Sequence, residues 1–207
     1  MRKILKFLIP CTCLIIAIVC VNRIGYASNK SKETPESVAL KDYQHGKFIS
    51  SENENHNENL TPTLVTTSTF SFPIYNTIQA QQILNINSKN ISEVLLPTKE
   101  KLWFIMEGEQ PEGLIVANDI EPIRMGGENR SKDLYEIYQT IKNNTEQIKE
   151  VAYFEFEGQG LFVVSHDTNK EIYLSKGAAS ILNLPAGQKI SDDEVIQKMK
   201  DRIAKSS

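Results

Sequence analysis

The pattern of apolar and polar positions divides the chain into three stretches of different character. An apolar run from Phe7 to Val21 comes first, then a polar stretch from Ser28 to about Leu60, and then residues 61–207, where strand-like and helix-like patterns alternate. In the last stretch, Thr61–Tyr75 is β-branched and aromatic, with Pro62 and Pro73 pointing to an edge or irregular strand. Thr77–Leu84 reads as a short helix and Ile91–Leu96 as a strand ended by Pro97. Lys101–Glu107 and Gly113–Ala117 read as the arms of a hairpin whose loop contains Gly108 and Pro111. In its first arm Leu102, Phe104 and Met106 alternate with Trp103 and Ile105, so both sides are apolar, as in a covered central strand.

Ser131–Ile148 carries Leu134, Ile137, Tyr138, Ile141 and Ile148 on one helical stripe. A second hairpin is expected at Val151–Glu157 and Gly160–Ser165, then a strand at Glu171–Leu174 and a small helix at Lys176–Leu182. The closing helix is marked by the capping-box text Ser191-Asp192-Asp193-Glu194 and a stripe of Ile196, Met199 and Ile203.

The two hairpins share a text. Trp103-Phe104-Ile105-Met106-Glu107-Gly108 aligns with Tyr153-Phe154-Glu155-Phe156-Glu157-Gly158, and Gly113-Leu114-Ile115-Val116 with Gly160-Leu161-Phe162-Val163. Either residues 101–148 and 151–205 are duplicated hairpin-strand-helix units, or two hairpins coincide in their apolar strands and glycine turns. Both readings predict an α+β fold: a two-layer sandwich of one antiparallel sheet with its helices on one face. The uncovered face would then display Tyr153, Glu155 and Glu157, an aromatic and acidic surface suited to a basic partner, or else a plainly solvated one.

Charge changes the picture at the start of the chain. Arg2, Lys3 and Lys6 precede the apolar run, and Gly25-Tyr26-Ala27 supplies small residues before a cut after Ala27, the order of a secretory signal peptide. The run is shorter than the roughly 20 residues a spanning helix needs. An uncleaved membrane anchor through residues 7–21 is the alternative, and lipidation at Cys20 is disfavoured by the bulky Val19 before it. Residues 28–60, with Ser50–Leu60 as their extreme, hold too few large apolar side chains to order themselves and read as a disordered polar linker. Residues 61–207 form the single domain.

The chain has 207 residues, 23 Lys plus Arg, 26 Asp plus Glu, three Cys and three His. Cys11, Cys13 and Cys20 all lie in the leader, so its removal leaves no thiol and excludes disulfides, cysteine catalysis and Cys-ligated zinc. It also removes Arg2, Lys3, Lys6 and Arg23, leaving 19 basic against 26 acidic side chains and a net charge of −7. Such a field opposes nucleic acid and anionic lipid, and no membrane contact is expected beyond the N-terminal segment. An exported protein without disulfides fits a bacterial source.

His45 and His56 fall in the linker and only His166 in the domain, which leaves no multi-histidine metal site. Ser165-His166-Asp167 resembles a triad in text alone, since neighbours on a strand point to opposite faces. Nucleotide-binding glycine fingerprints, nucleophile-elbow and zinc-protease motifs do not occur. No catalytic residue, metal or cofactor is therefore assigned.

The expectation is an exported or secreted non-enzymatic module that binds a protein or peptide, of inhibitor, immunity or regulatory type, with Trp103, Tyr153, Glu155 and Glu157 as contact candidates. One alternative is a cell-wall or carbohydrate hydrolase using carboxylates, with Glu107, Glu109, Glu112, Glu155 and Glu157 as its raw material. The other is a structural component of the cell envelope or spore surface.

Overall fold

A computed structural model describes residues 33–54 and 64–206. The leader of residues 1–27, with its alternative anchor, and residues 28–32 and 55–60 of the linker lie outside them. Among the described residues there are five helices and an eight-stranded sheet. The strands are β1 (Val65–Thr67), β2 (Phe72–Thr77), β3 (Leu95–Glu107), β4 (Gln110–Ala117), β5 (Pro122–Gly126), β6 (Glu150–Phe156), β7 (Gln159–Ser165) and β8 (Lys170–Leu174). The helices are α1 (Pro35–Glu54), α2 (Ala80–Asn85), α3 (Glu128–Asn144), α4 (Lys176–Leu182) and α5 (Asp192–Ser206).

The strand order is β5-β4-β3-β2-β6-β7-β8, with β1 beside β3 where β2 has ended. Every pairing is antiparallel except β2 with β6, which joins the two meanders at Ile74↔Tyr153 and Tyr75↔Phe154. The α+β class and the antiparallel sheet are thus as the sequence predicts. The expected strand at Ile91–Leu96 is instead a 3₁₀ turn at Ile91–Glu93 leading into β3, which runs through Pro97. The helix expected at Ser131–Ile148 begins at Glu128 and stops at Asn144, because Lys149 already donates to the Ser165 carbonyl as β6 begins. Glu157 and Gly158 both take positive φ, of 48° and 75°, and form the two-residue turn that matches the twist of the β6–β7 hairpin.

The helical cover differs from the expectation. Leu134, Ile137 and Ile141 of α3 pack on Leu102, Phe104, Val116, Tyr153 and Phe162. The opposite face is covered over β6–β8 by Val195, Ile196, Met199 and Ile203 of α5, with α4 beside them, against Phe154, Leu161, Val163 and Ile172. Over β3 and β4 that face is covered by α1, whose Ala39, Leu40 and Tyr43 meet Ile105, Ile115 and Ala117. Helices therefore lie on both faces. The reason is in β3 itself: Phe104 and Ile105 are adjacent, point to opposite sides and are each 0% exposed.

The segment 35–46 of the expected linker is correspondingly an ordered helix. Pro35 starts the helix, where a missing N–H is harmless, and Glu36 suits its positive end. The buried face rests on Ala39, small enough to let the backbone approach the sheet, on Leu40 and on Tyr43, whose hydroxyl donates to the Glu112 carbonyl at 3.1 Å. Glu112 is the extra residue of a β-bulge, since Met106 pairs with Pro111 and Ile105 with Gly113. Gln44 Nε2 adds a bond of 2.9 Å to the Val65 carbonyl of β1.

The two meanders run outward from the seam, β3 to β5 on one side and β6 to β8 on the other, with β3 antiparallel to β6. A half-turn about the sheet normal would superpose them and keep each face. Yet α3, after β5, and α5, after β8, lie on opposite faces, and so do the text-matched Phe104 and Phe154. The meander-helix units are of opposite hand, and no rotation superposes them.

Replacing Ala39 by Leu should overpack the α1–sheet contact and lower stability by about 1–3 kcal/mol in urea unfolding. An unchanged midpoint would mean that α1 is not seated on the sheet.

Candidate functional site

The four contact candidates do not form one surface. Trp103 is half-buried beside the α1 cluster, on the face away from α3. Tyr153 is 1% exposed, so it is not a surface contact. Its ring lies under α3 against Phe162, with centroids 5.6 Å apart, and it fits because Gly160 on β7 has no side chain: a Cβ there would stand 2.8 Å from the Tyr153 hydroxyl. The apolar ring is buried and the hydroxyl reaches the rim, the division a tyrosine allows and one that a strict inside–outside reading misses.

At that rim Arg130 Nη2 donates to the Tyr153 hydroxyl at 2.6 Å, and the hydroxyl donates to Glu155 Oε1 at 3.1 Å. Arg130 also pairs with Glu155 at 2.9 Å, and Arg124 of β5 grips the same carboxylate with both terminal nitrogens. Burial, with the Glu155 charge, pushes the Tyr153 hydroxyl well above its ordinary range. β5 and β6 are four strands apart, roughly 19 Å in a flat sheet, so the Arg124–Glu155 pair requires the sheet to curl toward α3. Glu157, in the hairpin turn, is paired with Arg202 Nε of α5 at 2.9 Å. The carboxylates considered for hydrolysis thus include two, Glu155 and Glu157, that serve as fasteners between elements.

The second polar centre surrounds Glu171, which is 6% exposed. Lys189 and the Tyr173 hydroxyl donate to it, the latter at 3.1 Å, and Tyr173 is 3.2 Å from Thr145 Oγ1. His166 Nε2 lies 3.2 Å from Glu171 Oε1 without the alignment of a hydrogen bond. Burial alone would raise the Glu171 pKa, but the bonds from Lys189 and Tyr173 and the Lys189 charge outweigh it and hold it below the ordinary carboxylate range. The adjacent Ser165 is instead paired in the sheet with Glu150 and Lys170, so Ser165, His166 and Asp167 assemble no triad. Among the described residues no group of three or more His, Cys, Asp or Glu is placed to hold a metal ion.

A third feature was invisible as an element in the sequence. β5, a five-residue strand between the first hairpin and α3, ends the sheet and carries Ile123 and Met125, 43% and 49% exposed. Its register, Ile115↔Met125 and Val116↔Arg124, puts Met125 on the α1 side and turns Arg124 toward α3, and the next pair, Ala117↔Pro122, leaves Ile123 as the extra residue of a β-bulge. Trp103, Ile115 and Met125 form one cross-strand row running from beside α1 to the edge. Just before β5, Asn118 Oδ1 accepts from the Ile120 and Glu121 amides at 2.7 and 2.9 Å, and this turn holds Ile120 out at 83% exposure. The available signal was Pro122 followed by alternating Ile123, Arg124 and Met125, too short to separate from loop text.

Because Glu171 has a lowered pKa in the fold, its stabilisation is complete above the unfolded value near 4.5 and fades as pH falls through the folded one. Glu171→Gln should cost about 1–3 kcal/mol at neutral pH and flatten the decline of stability on acidification, read from thermal melts between neutral and acid pH. Equal slopes in variant and parent would show that Glu171 carries no linked stability. Compared with family models, curated proteins and solved structures, the chain matches none.

Proposed function

We propose that this chain is an exported, non-enzymatic module that binds a protein or peptide through the β5 edge of its sheet, in the manner of an inhibitor, immunity or regulatory protein. The observation that carries this reading is the unequal treatment of the two sheet edges. On β8 the Ile172 amide and carbonyl are both bonded to Ile190, at 3.0 and 2.9 Å, and the Leu174 carbonyl accepts from the Gly187 amide at 3.0 Å. The chain thus closes that edge with its own loop. β5 ends the sheet order at the other side and carries exposed large apolar side chains, while its one charged side chain, Arg124, is turned toward α3 and held by Glu155.

An exposed edge with alternating apolar positions suits strand addition, where main-chain bonds supply affinity and side-chain pockets supply choice. The non-enzymatic part rests on the commitment of the polar groups: Glu155 to two arginines, Glu157 to Arg202, and His166 placed against the buried Glu171 carboxylate, which Lys189 already holds. Export rests on the leader text alone. No described helix is long and apolar enough to cross a membrane.

Two measurements test the reading. N-terminal sequencing of the protein from its producing cells should begin at Ser28; a start at Met1 would remove the cleaved-signal part. A photo-crosslinking residue at position 123, in the full chain in those cells, should trap a partner that the same residue at position 148 does not. Equal trapping at both positions, or none at 123, would overturn the β5 site.

A further inference from the structure

The β5 edge, if it is the binding site just proposed, also specifies the chemistry of its partner. Three occupants are conceivable: a second copy of this chain, an acidic or neutral strand, and a basic one.

A second copy meets an obstacle of register. In a two-fold antiparallel pairing of identical strands, residues directly opposite must lie on the same face, so each allowed register is centred on a residue that faces itself. Centring on Arg124 brings Ile123 opposite the second copy's Met125, the best apolar match, but sets the two Arg124 side chains against one another. Centring on Ile123 sets each Met125 against a Glu121, centring on Pro122 opposes two residues that lack an amide proton, and centring on Met125 leaves Arg124 and Ile123 opposite only Gly126 and Gly127.

Charge decides between the remaining two. Residues 64–206 hold 15 Lys plus Arg against 20 Asp plus Glu, a net charge of −5. Asp119 and Glu121 flank Ile120 in the ordered turn that opens the edge, and both are exposed. The cation within the strand, Arg124, is turned to the α3 side and held by Glu155. Lys101 is exposed on the Met125 side but lies two strands inward. The groups beside an incoming strand are therefore apolar along its length and acidic at its Asp119–Glu121 end.

We infer that the β5 edge takes an extended segment with alternating apolar side chains and a basic residue at the end that meets Asp119 and Glu121. The apolar side chains add to Met125 on the α1 side and extend the Trp103–Ile115–Met125 row by one strand. The basic residue gives direction, because only one sense of the added strand brings it to the acidic turn.

The test uses the full chain and short synthetic peptides alternating valine and threonine, ending in lysine, in glutamate or in serine. The lysine peptide should bind at least about tenfold more tightly than the glutamate peptide, a preference that salt reduces, and should slow hydrogen exchange at the 123–126 amides. Asp119→Lys with Glu121→Lys should abolish the preference, and Met125→Lys should weaken binding of every peptide, with melting temperatures confirming that the variants fold. If the peptides protect 123–126 with equal affinity, or the glutamate peptide binds best, the basic partner is wrong while the β5 binding reading stands. If none protects those amides, both fall. Self-association of the parent that Met125→Lys abolishes, seen by sedimentation, would identify a second copy as the occupant and overturn the inference.

Discussion

A central strand that is apolar on both sides must be covered on both sides, and this constraint at β3 organises the molecule. Phe104 and Ile105 differ by one position, so no single helical layer can bury both. α3 covers the first and α1 the second. Burying two such side chains is worth about 1.5–3 kcal/mol each, enough to recruit a helix whose own sequence would not have advertised it. The bulge at Glu112 shows the same double demand. Ser131 Oγ of α3 donates to the Pro111 carbonyl, and Tyr43 of α1 to that of Glu112.

That constraint marks where sequence reasoning succeeded and where it stopped. The apolar alternation on both sides of Leu102–Met106 identified a covered strand, but the notion of a sandwich covered on one face contradicted it. The missing layer was α1. A window from Pro35 to Gly46 with Val38, Ala39, Leu40 and Tyr43 as its only apolar residues looks unable to pay for its own order, because that estimate treats the segment alone. Ala39 contributes little area itself, yet it lets α1 approach Ile105, Ile115 and Ala117 closely, and most of the buried area belongs to the sheet. Long periodic elements such as α3, α5 and the two hairpins were legible because their signals are internal. Tyr153 was misplaced for a different reason: alternation gave its face correctly, but the cover over that face and the gap at Gly160 come from elements distant in sequence.

The candidate site was legible only in fragments for the same reason. β5 takes its identity from pairing with β4, and five residues with two apolar positions cannot announce that. The acidic balance was plain from composition, and its placement at Asp119 and Glu121 needed the fold.

The edges of the sheet then differ in a way that stability alone does not require. β8 is capped by the Gly187–Ile190 loop, although its inward side chains are already covered by α5. On β5 a bulge at Ile123 interrupts the pairing, and two further devices that usually discourage strand addition are present in the sequence, a proline and a charged side chain. Neither guards the outer edge along its length. Pro122 sits at the first position of the strand and leaves the following amides in place, and Arg124 points to the α3 side, where it reaches across the curl of the sheet to Glu155. The pair thereby holds the cation of β5 away from its α1 side, leaving Met125 exposed there beside the bulged and exposed Ile123. The curl brings Arg124 within reach of Glu155, and the pair so formed keeps the cation of β5 on the α3 side of the sheet.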